Sequence, residues 1–162
     1  MNVRLSRPGL VSALGFGIEE TRKRLFAGDT SGMVAETGWL RGEAMARVGK
    51  FAGTLPPLPD DDWHRRHNSR NNRLLLAAFA QIEDDFRALC ERFGPTRIGV
   101  VLGTSTSGIA EGEAAIAAHA HHGEFPAGFA YEQMEIGDPA IFLAQHLGLL
   151  GPAYTVSTAC TS

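Results

Sequence analysis

Apolar residues recur along this chain with two periods, and the switches between them set out an order of elements. From Ser69 onward Leu75, Phe79, Ile82, Phe86, Leu89 or Cys90, and Phe93 return every three or four residues, and Gly94-Pro95 ends the run. That spacing predicts one long amphipathic helix over 70–93. The segment GIEETRKRLFAG reads as a shorter helix, with Glu19 and Glu20 in its first turn, Arg22, Lys23 and Arg24 further along and Gly28 past its end. This charge order complements the helix dipole, and the glycine supplies a stop. Arg97 to Leu102 (RIGVVL) is the short β-branched run of a buried strand, and it empties into a small-residue loop, GTSTSG, at 103–108. Residues 109–122 read as helix and 123–135 as loop. Asp138 then offers an N-cap with Pro139 at the first helical position, Ile141, Ala144 and Leu147 share a face, and Gly148 stops the helix. Gly151-Pro152 turns the chain into a last strand, AYTVS, ending at Thr158-Ala159-Cys160. At the other end, Val3, Leu5, Leu10, Val11 and Leu14 around Pro8 predict a first strand and turn over 2–14. From Asp29 to about Asp62 the pattern dissolves, with Pro56, Pro57 and Pro59 excluding regular helix, into an irregular excursion holding one strand near Ala44 to Val48. Strands and helices so mixed indicate an α/β layered fold.

Composition narrows the function. The 162 residues are one ordinary domain's worth of chain, 44% apolar and 20% charged. Lys and Arg number 15 against 18 Asp and Glu, which excludes a basic nucleic-acid binder. No window reaches the roughly 18 apolar residues of a membrane span, and the N-terminus lacks the apolar core of a signal peptide, so a soluble, untargeted protein is expected. Two cysteines, Cys90 and Cys160, do not make the dense set of a secreted disulfide scaffold, which favours a reducing cytoplasm. Glycine is unusually frequent, 19 residues or about 12% where about 7% is usual.

Candidate chemistry centres on Cys160. A cysteine where a buried strand ends and a helix would begin, here at Thr161-Ser162, meets free N–H groups and the positive end of a helix dipole, conditions that favour the thiolate. Position alone favours the alternative, a small buried thiol packed as a hydrophobe, and only the surrounding residues change that. Cys90, on the stripe of the long helix, reads as core. The GTSTSG loop fails as a phosphate cradle, having neither the Lys-Ser/Thr of a P-loop nor the G-x-G-x-x-G of a dinucleotide fold. As a close-packing loop, Gly103 and Gly108 permit backbone approach and unusual φ, and small side chains leave room for an acyl chain. Among the histidines, His146 at a helix end suits the dipole as a cation, and His119, His121 and His122 read as a solvated helix end, not as a metal site. His64 and His67 match no catalytic motif position. The acid pairs Asp84/Asp85 and Glu111/Glu113 do not face one another on a helix and read as solvated.

Three ordered blocks give these candidates a context. GLLGPAYTVSTACTS at 148–162 resembles the active-site block of β-ketoacyl-acyl-carrier-protein synthases, the condensing enzymes of the thiolase superfamily. VVLGTSTSGI at 100–109 is similar to that family's glycine-rich loop, and GLVSALGFGIEETRKRLFAG at 9–28 to its N-terminal signature. HNSRNNRLLLAAFAQI at 67–82 resembles the members found in bacterial aryl-polyene clusters. The resemblance implies a thiolase-like layered αβαβα fold, of which residues 1–162 are the N-terminal domain, stopping just after the nucleophile. It implies that Cys160 takes the acyl group as a thioester, that its backbone N–H forms half of an oxyanion hole, and that Thr106, flanked by Gly103 and Gly108, gates the acyl pocket. The implied reaction is the condensation of an acyl thioester with malonyl-acyl-carrier protein, giving 3-oxoacyl-carrier protein and CO2. No metal and no cofactor of the enzyme's own is implied, since both substrates ride on the phosphopantetheine arm of acyl-carrier protein. The implied partners are that carrier protein and a second condensing subunit, identical or different, with no nucleic acid and no membrane. The family's decarboxylating histidines and lysine fall downstream of the cysteine, outside these residues. Two rivals share the fold: a chain-length-factor-like subunit, which retention of Cys160 within STACTS argues against, and a thiolase-fold enzyme acting directly on coenzyme A thioesters, which the GTSTSG loop placed before STACTS argues against.

Overall fold

The computed structural model describes residues 3–161. By internal contact they divide into two units. One holds the residues up to Leu55 together with Ala77–Asp84; the other holds Pro56–Leu76 together with the residues from Asp85 onward.

In the first unit, the strand predicted over 2–14 shrinks to one arm of a small antiparallel hairpin, β1 (Val11–Ser12) and β2 (Gly15–Phe16), with Val11 opposite Phe16. Its approach is tight at Gly9, where a Cβ would stand 2.0 Å from the carbonyl oxygen of Ala78, so a side chain there would force the backbones apart. Gln81 completes the contact. Its Oε1 accepts the Leu10 N–H at 3.1 Å and its Nε2 donates to the Leu10 carbonyl at 3.0 Å. Helix α1 (Ile18–Phe26) follows where its charge order placed it, and the Phe16 N–H donates to Glu20 Oε2 at 2.8 Å, the main reason that carboxyl lies below the usual range. The excursion predicted to hold one strand holds two. β3 (Met33–Glu36) pairs antiparallel with β4 (Ala46–Gly49), Val34 opposite Val48, so the expected strand stands about two residues later than placed.

The predicted helix over 70–93 is two helices, α3 (Arg70–Phe79) and α4 (Glu83–Phe93), joined by a 3-10 turn at Ala80–Ile82. The interruption has a local cause. The side-chain amide of Gln81 donates to the Ala77 carbonyl at 3.3 Å, the carbonyl that its own backbone N–H would take in a continuous helix. Cys90, expected in the core, is only half-buried, because α4 buries none of its residues and leaves Leu89 and Phe93 exposed.

The second unit carries the main apolar core. β5 (Val100–Gly103) and β6 (Ala153–Val156) pair in parallel, Val100 opposite Ala153 and Gly103 opposite Val156, after a 3-10 turn at Pro95–Arg97 shortens the strand predicted from Arg97. Helix α6 (Asp138–His146) packs on both strands. It buries Asp138 to Ala140 and Phe142 to Ala144, which explains its nearly all-round apolar sequence. Phe142 is fully buried, stacked on Trp63 at 5.7 Å and on His146 at 5.6 Å. Burying such a ring stabilises the unit by about 2 to 3 kcal/mol. Helix α5 (Ile109–His122) lies where a helix was expected, and the loop expected after it contains a 3-10 turn at Tyr131–Met134. The short α2 (Asp62–Arg66) starts on Asp61, whose Oδ1 accepts the His64 N–H at 2.9 Å.

Candidate functional site

The parallel pairing of β5 and β6 places the two loops that carry the candidate residues side by side. β6 runs out at Val156, and the chain turns through a 3-10 turn, Ala159–Thr161, that holds Cys160. The helix expected to open at Thr161-Ser162 is, among the described residues, this one turn; Ser162 lies outside them. Thr161 fastens it, its N–H and Oγ1 donating to the Thr158 carbonyl at 3.3 and 3.0 Å. Cys160 is exposed. Its neighbour Ala159 has φ 54°, a left-handed conformation that crowds a Cβ and that a structure keeps only where surrounding bonds enforce it. One of those bonds comes from the other loop: Ser105 Oγ donates to the Ala159 carbonyl at 3.0 Å.

The 103–108 loop is organised by Thr104, whose Oγ1 accepts the Ser107 N–H at 3.0 Å and the Thr106 N–H at 3.4 Å. Thr106 is thereby presented at the crest, exposed. Gly103 and Gly108, grouped together from sequence, differ in role. Gly103 is the last residue of β5. Gly108 has φ −93°, so unusual torsion is not what it supplies. A Cβ there would stand 2.0 Å from the Gln133 carbonyl oxygen and 2.8 Å from Ser69 Cβ, and close approach is what demands glycine. The positive torsion of the loop falls on Ser107, at φ 45°. Ser107 is also buried, and its Oγ has no hydrogen-bond partner among the described residues.

Directly behind Gly108 lies a polar cluster that sequence reasoning missed. Asp138 is not the N-cap of α6: Gly137 is, and the Asp138 side chain turns into the core. There its Oδ1 meets His67 Nδ1 at 2.5 Å and its Oδ2 accepts from Asn72 Nδ2 at 2.7 Å. Burial pushes the Asp138 carboxyl above the usual range, opposed by these two hydrogen bonds. Asn72 also donates to the His67 carbonyl at 2.9 Å, and Ser69 Oγ accepts the Asn72 N–H at 3.1 Å, capping α3. Glu111, expected to be solvated, supplies a second cap, its Oε1 accepting the Arg70 N–H at 2.6 Å. A signal for the cluster was present: Ser69, Asn72 and Leu76 share one helical face, so a buried face of α3 begins with polar residues that need partners.

His64 and His146 are also bonded, to each other and, for His64, to Asp61. His64 Nδ1 meets Asp61 Oδ2 at 2.6 Å and its Nε2 meets His146 Nδ1 at 3.1 Å. Burial, then the charge of His64, holds His146 below the usual imidazole range, which works against the cation expected at this helix end. His119 stacks on Phe125 at 4.4 Å. Among the described residues no three His, Cys, Asp or Glu side chains converge as a metal site, and no helix is long and apolar enough to cross a membrane. A cavity of about 550 Å³ in the first unit, lined by Phe16, Glu20, Arg24, Lys50 and Phe51 among others, includes none of the candidate residues.

Comparison with known proteins gives this geometry a family. No curated protein matches the chain. The family model described as beta-ketoacyl synthase, N-terminal domain, matches residues 60–162. Among solved structures the chain is similar to a ketosynthase (ApeO) in complex with its chain length factor (ApeC) from Xenorhabdus doucetiae, with 40% identity and a TM-score of 0.86. The match covers 96% of this chain and 39% of that one, so the chain spans well under half of its relative. At that likeness the thiolase-like α/β fold is shared. The chain belongs to the β-ketoacyl synthases, and its residues 60–162 correspond to the N-terminal domain of that family.

Proposed function

We propose that this chain supplies the acyl-accepting part of a condensing enzyme, with Cys160 as the nucleophile. The observation that carries the reading is the exposed thiol of Cys160 on a turn between the end of β6 and the 103–108 loop, tied by the Ser105–Ala159 hydrogen bond. The Cys160 thiolate attacks the carbonyl carbon of an acyl-pantetheine thioester. The tetrahedral oxyanion collapses to an acyl-Cys160 thioester and expels the pantetheine thiolate, which takes up the proton that Cys160 gave up. The Cys160 N–H is one donor for the oxyanion. Malonyl-acyl-carrier protein then loses CO2, and the carbanion left attacks the acyl-Cys160 carbonyl, forming the carbon–carbon bond and releasing the thiolate. Thr106, on the exposed crest of its loop, borders the acyl chain, with Gly108 holding the loop's end. The pairing partner is a chain-length-factor-like subunit, as in the matched ketosynthase complex, and the aryl-polyene-like segment at 67–82 supports that assignment.

The test is peptide mass mapping after incubation with an acyl-carrier-protein thioester. An acyl adduct is expected on the Cys160 peptide, absent from the Cys90 peptide and abolished by Cys160→Ala. An adduct that survives that substitution, or no adduct on the unsubstituted protein, overturns the reading.

A further inference from the structure

The cluster of His67, Ser69, Asn72 and Asp138 holds more polarity than the packing of its unit requires. These residues are 8%, 1%, 0% and 2% exposed, in a core otherwise built from Leu76, Val100, Ala140 and Phe142. Apolar side chains would fill such space without the need for partners, so what a hydrogen-bonded cluster adds is direction, each bond fixing a segment of backbone. Here the segments can be named. Asp138 fixes the start of α6, which packs on β5 and β6. His67 and Asn72 fix the entrance of α3 through the His67 carbonyl, which also accepts the Ser69 N–H at 2.9 Å. Ser69 in turn stands against Gly108, with no space for a methyl group between them.

The 103–108 loop therefore has two anchored ends. Its first is held by the pairing of Gly103 with Val156; its last is packed at Gly108 against Ser69 of this cluster and the Gln133 carbonyl, and Glu111 one turn on bonds the Arg70 N–H. Between them stand exposed Thr106 and the Ser105 side chain that bonds the residue before Cys160. The strained, buried Ser107 next to Gly108 shows that the loop is pressed into its path and not merely resting there.

We infer that His67, Asn72 and Asp138 are positioning residues which, through Ser69 and Gly108, set the path of the 103–108 loop and with it the acyl chain lengths accepted at Cys160. The inference rests on the acyl-transfer reading above. The test compares two reactions of the same thiol in the purified protein. Acylation by a short-chain and by a long-chain acyl-pantetheine needs the pocket, whereas alkylation by iodoacetamide needs only an exposed thiolate. His67→Phe keeps a planar ring and removes the hydrogen bond to Asp138; His67→Gln returns an N–H donor; Gly108→Ala strikes the loop directly. His67→Phe and Gly108→Ala are expected to change the ratio of short-chain to long-chain acylation by about tenfold, within the range that misplacement of a positioning group costs, while alkylation stays within about twofold. His67→Gln is expected to return toward the original ratio. An unchanged ratio in folded His67→Phe overturns the inference, whatever Gly108→Ala does, and leaves the acyl-transfer reading standing. So does a loss of alkylation in step with acylation, which would make the cluster a matter of folding alone; should His67→Phe not fold, Gly108→Ala decides. Absence of acylation in the unsubstituted protein, with Cys160 still alkylated, overturns the acyl-transfer reading and this inference with it.

Discussion

Ala159 holds its Cβ in a conformation that costs an ordinary L residue about 1 to 2 kcal/mol, one position before the candidate nucleophile. Its carbonyl is bonded by Ser105 from the neighbouring loop, so the strain is spent on fixing the turn that carries Cys160. Glycine at this position would relieve the crowding but would widen the unfolded ensemble by a similar amount, leaving a net gain in stability below about 1 kcal/mol. Ala159→Gly is therefore expected to melt no lower than the unsubstituted protein while acylating Cys160 more slowly, because the turn samples more conformations. A melting temperature several degrees lower would show that the torsion is not strained. The residue scale is also where sequence reading is weakest. Asp138 had every local mark of a cap, a short acidic side chain before a proline, and only the distant His67 and Asn72 explain why it turns inward.

At the scale of elements, α2 and α6 are joined by the chain Asp61, His64, His146, in which each imidazole is bonded on both sides or at one end. His146 closes α6, and burial followed by the charge of His64 keeps it below the ordinary imidazole value. As pH falls through about 6.5, the unfolded chain takes up a proton that the folded chain resists at His146, so stability present at neutral pH is lost on acidification. Melting temperatures measured from pH 7.5 down to about 5.5 should fall more steeply for the unsubstituted protein than for His146→Gln; parallel curves would refute the account. The strands β5 and β6 and the helices α5 and α6 were legible because each is bounded by punctuation that acts locally, Gly94-Pro95, Gly108, Pro139, Gly148 and Gly151-Pro152. The break in the helix over 70–93 was not, since its cause is a side-chain bond of Gln81 that also reaches Leu10. Nor was the hairpin of β3 and β4, whose first strand has four residues and acquires its meaning only from the partner across the pair.

At the scale of the whole molecule, the three blocks were legible as a family because their order and spacing survive in a fold where β5 and β6 bring the 103–108 loop and Cys160 together. What no composition shows is which surfaces remain uncovered. α6 packs on the β5–β6 sheet, yet Val101 and Tyr154 remain 57% and 53% exposed, large apolar side chains on strands that face a partner in layered folds. The chain spans 39% of the ketosynthase it matches, and four of its histidines already have partners elsewhere in the fold. His67 serves Asp138, His64 and His146 serve each other, His119 stacks on Phe125, and His121 and His122 sit exposed at the end of α5. A malonyl group losing CO2 needs donors held against its thioester carbonyl, and among the described residues the bonds and ring contacts found for these histidines lie with other groups than Cys160. The 162-residue chain incubated by itself with acyl- and malonyl-carrier protein is thus expected to acylate at Cys160 and to yield no 3-oxoacyl product. Detection of that product by mass spectrometry, above a Cys160→Ala control, would mean that one of these six histidines does chemistry its bonds and position do not suggest.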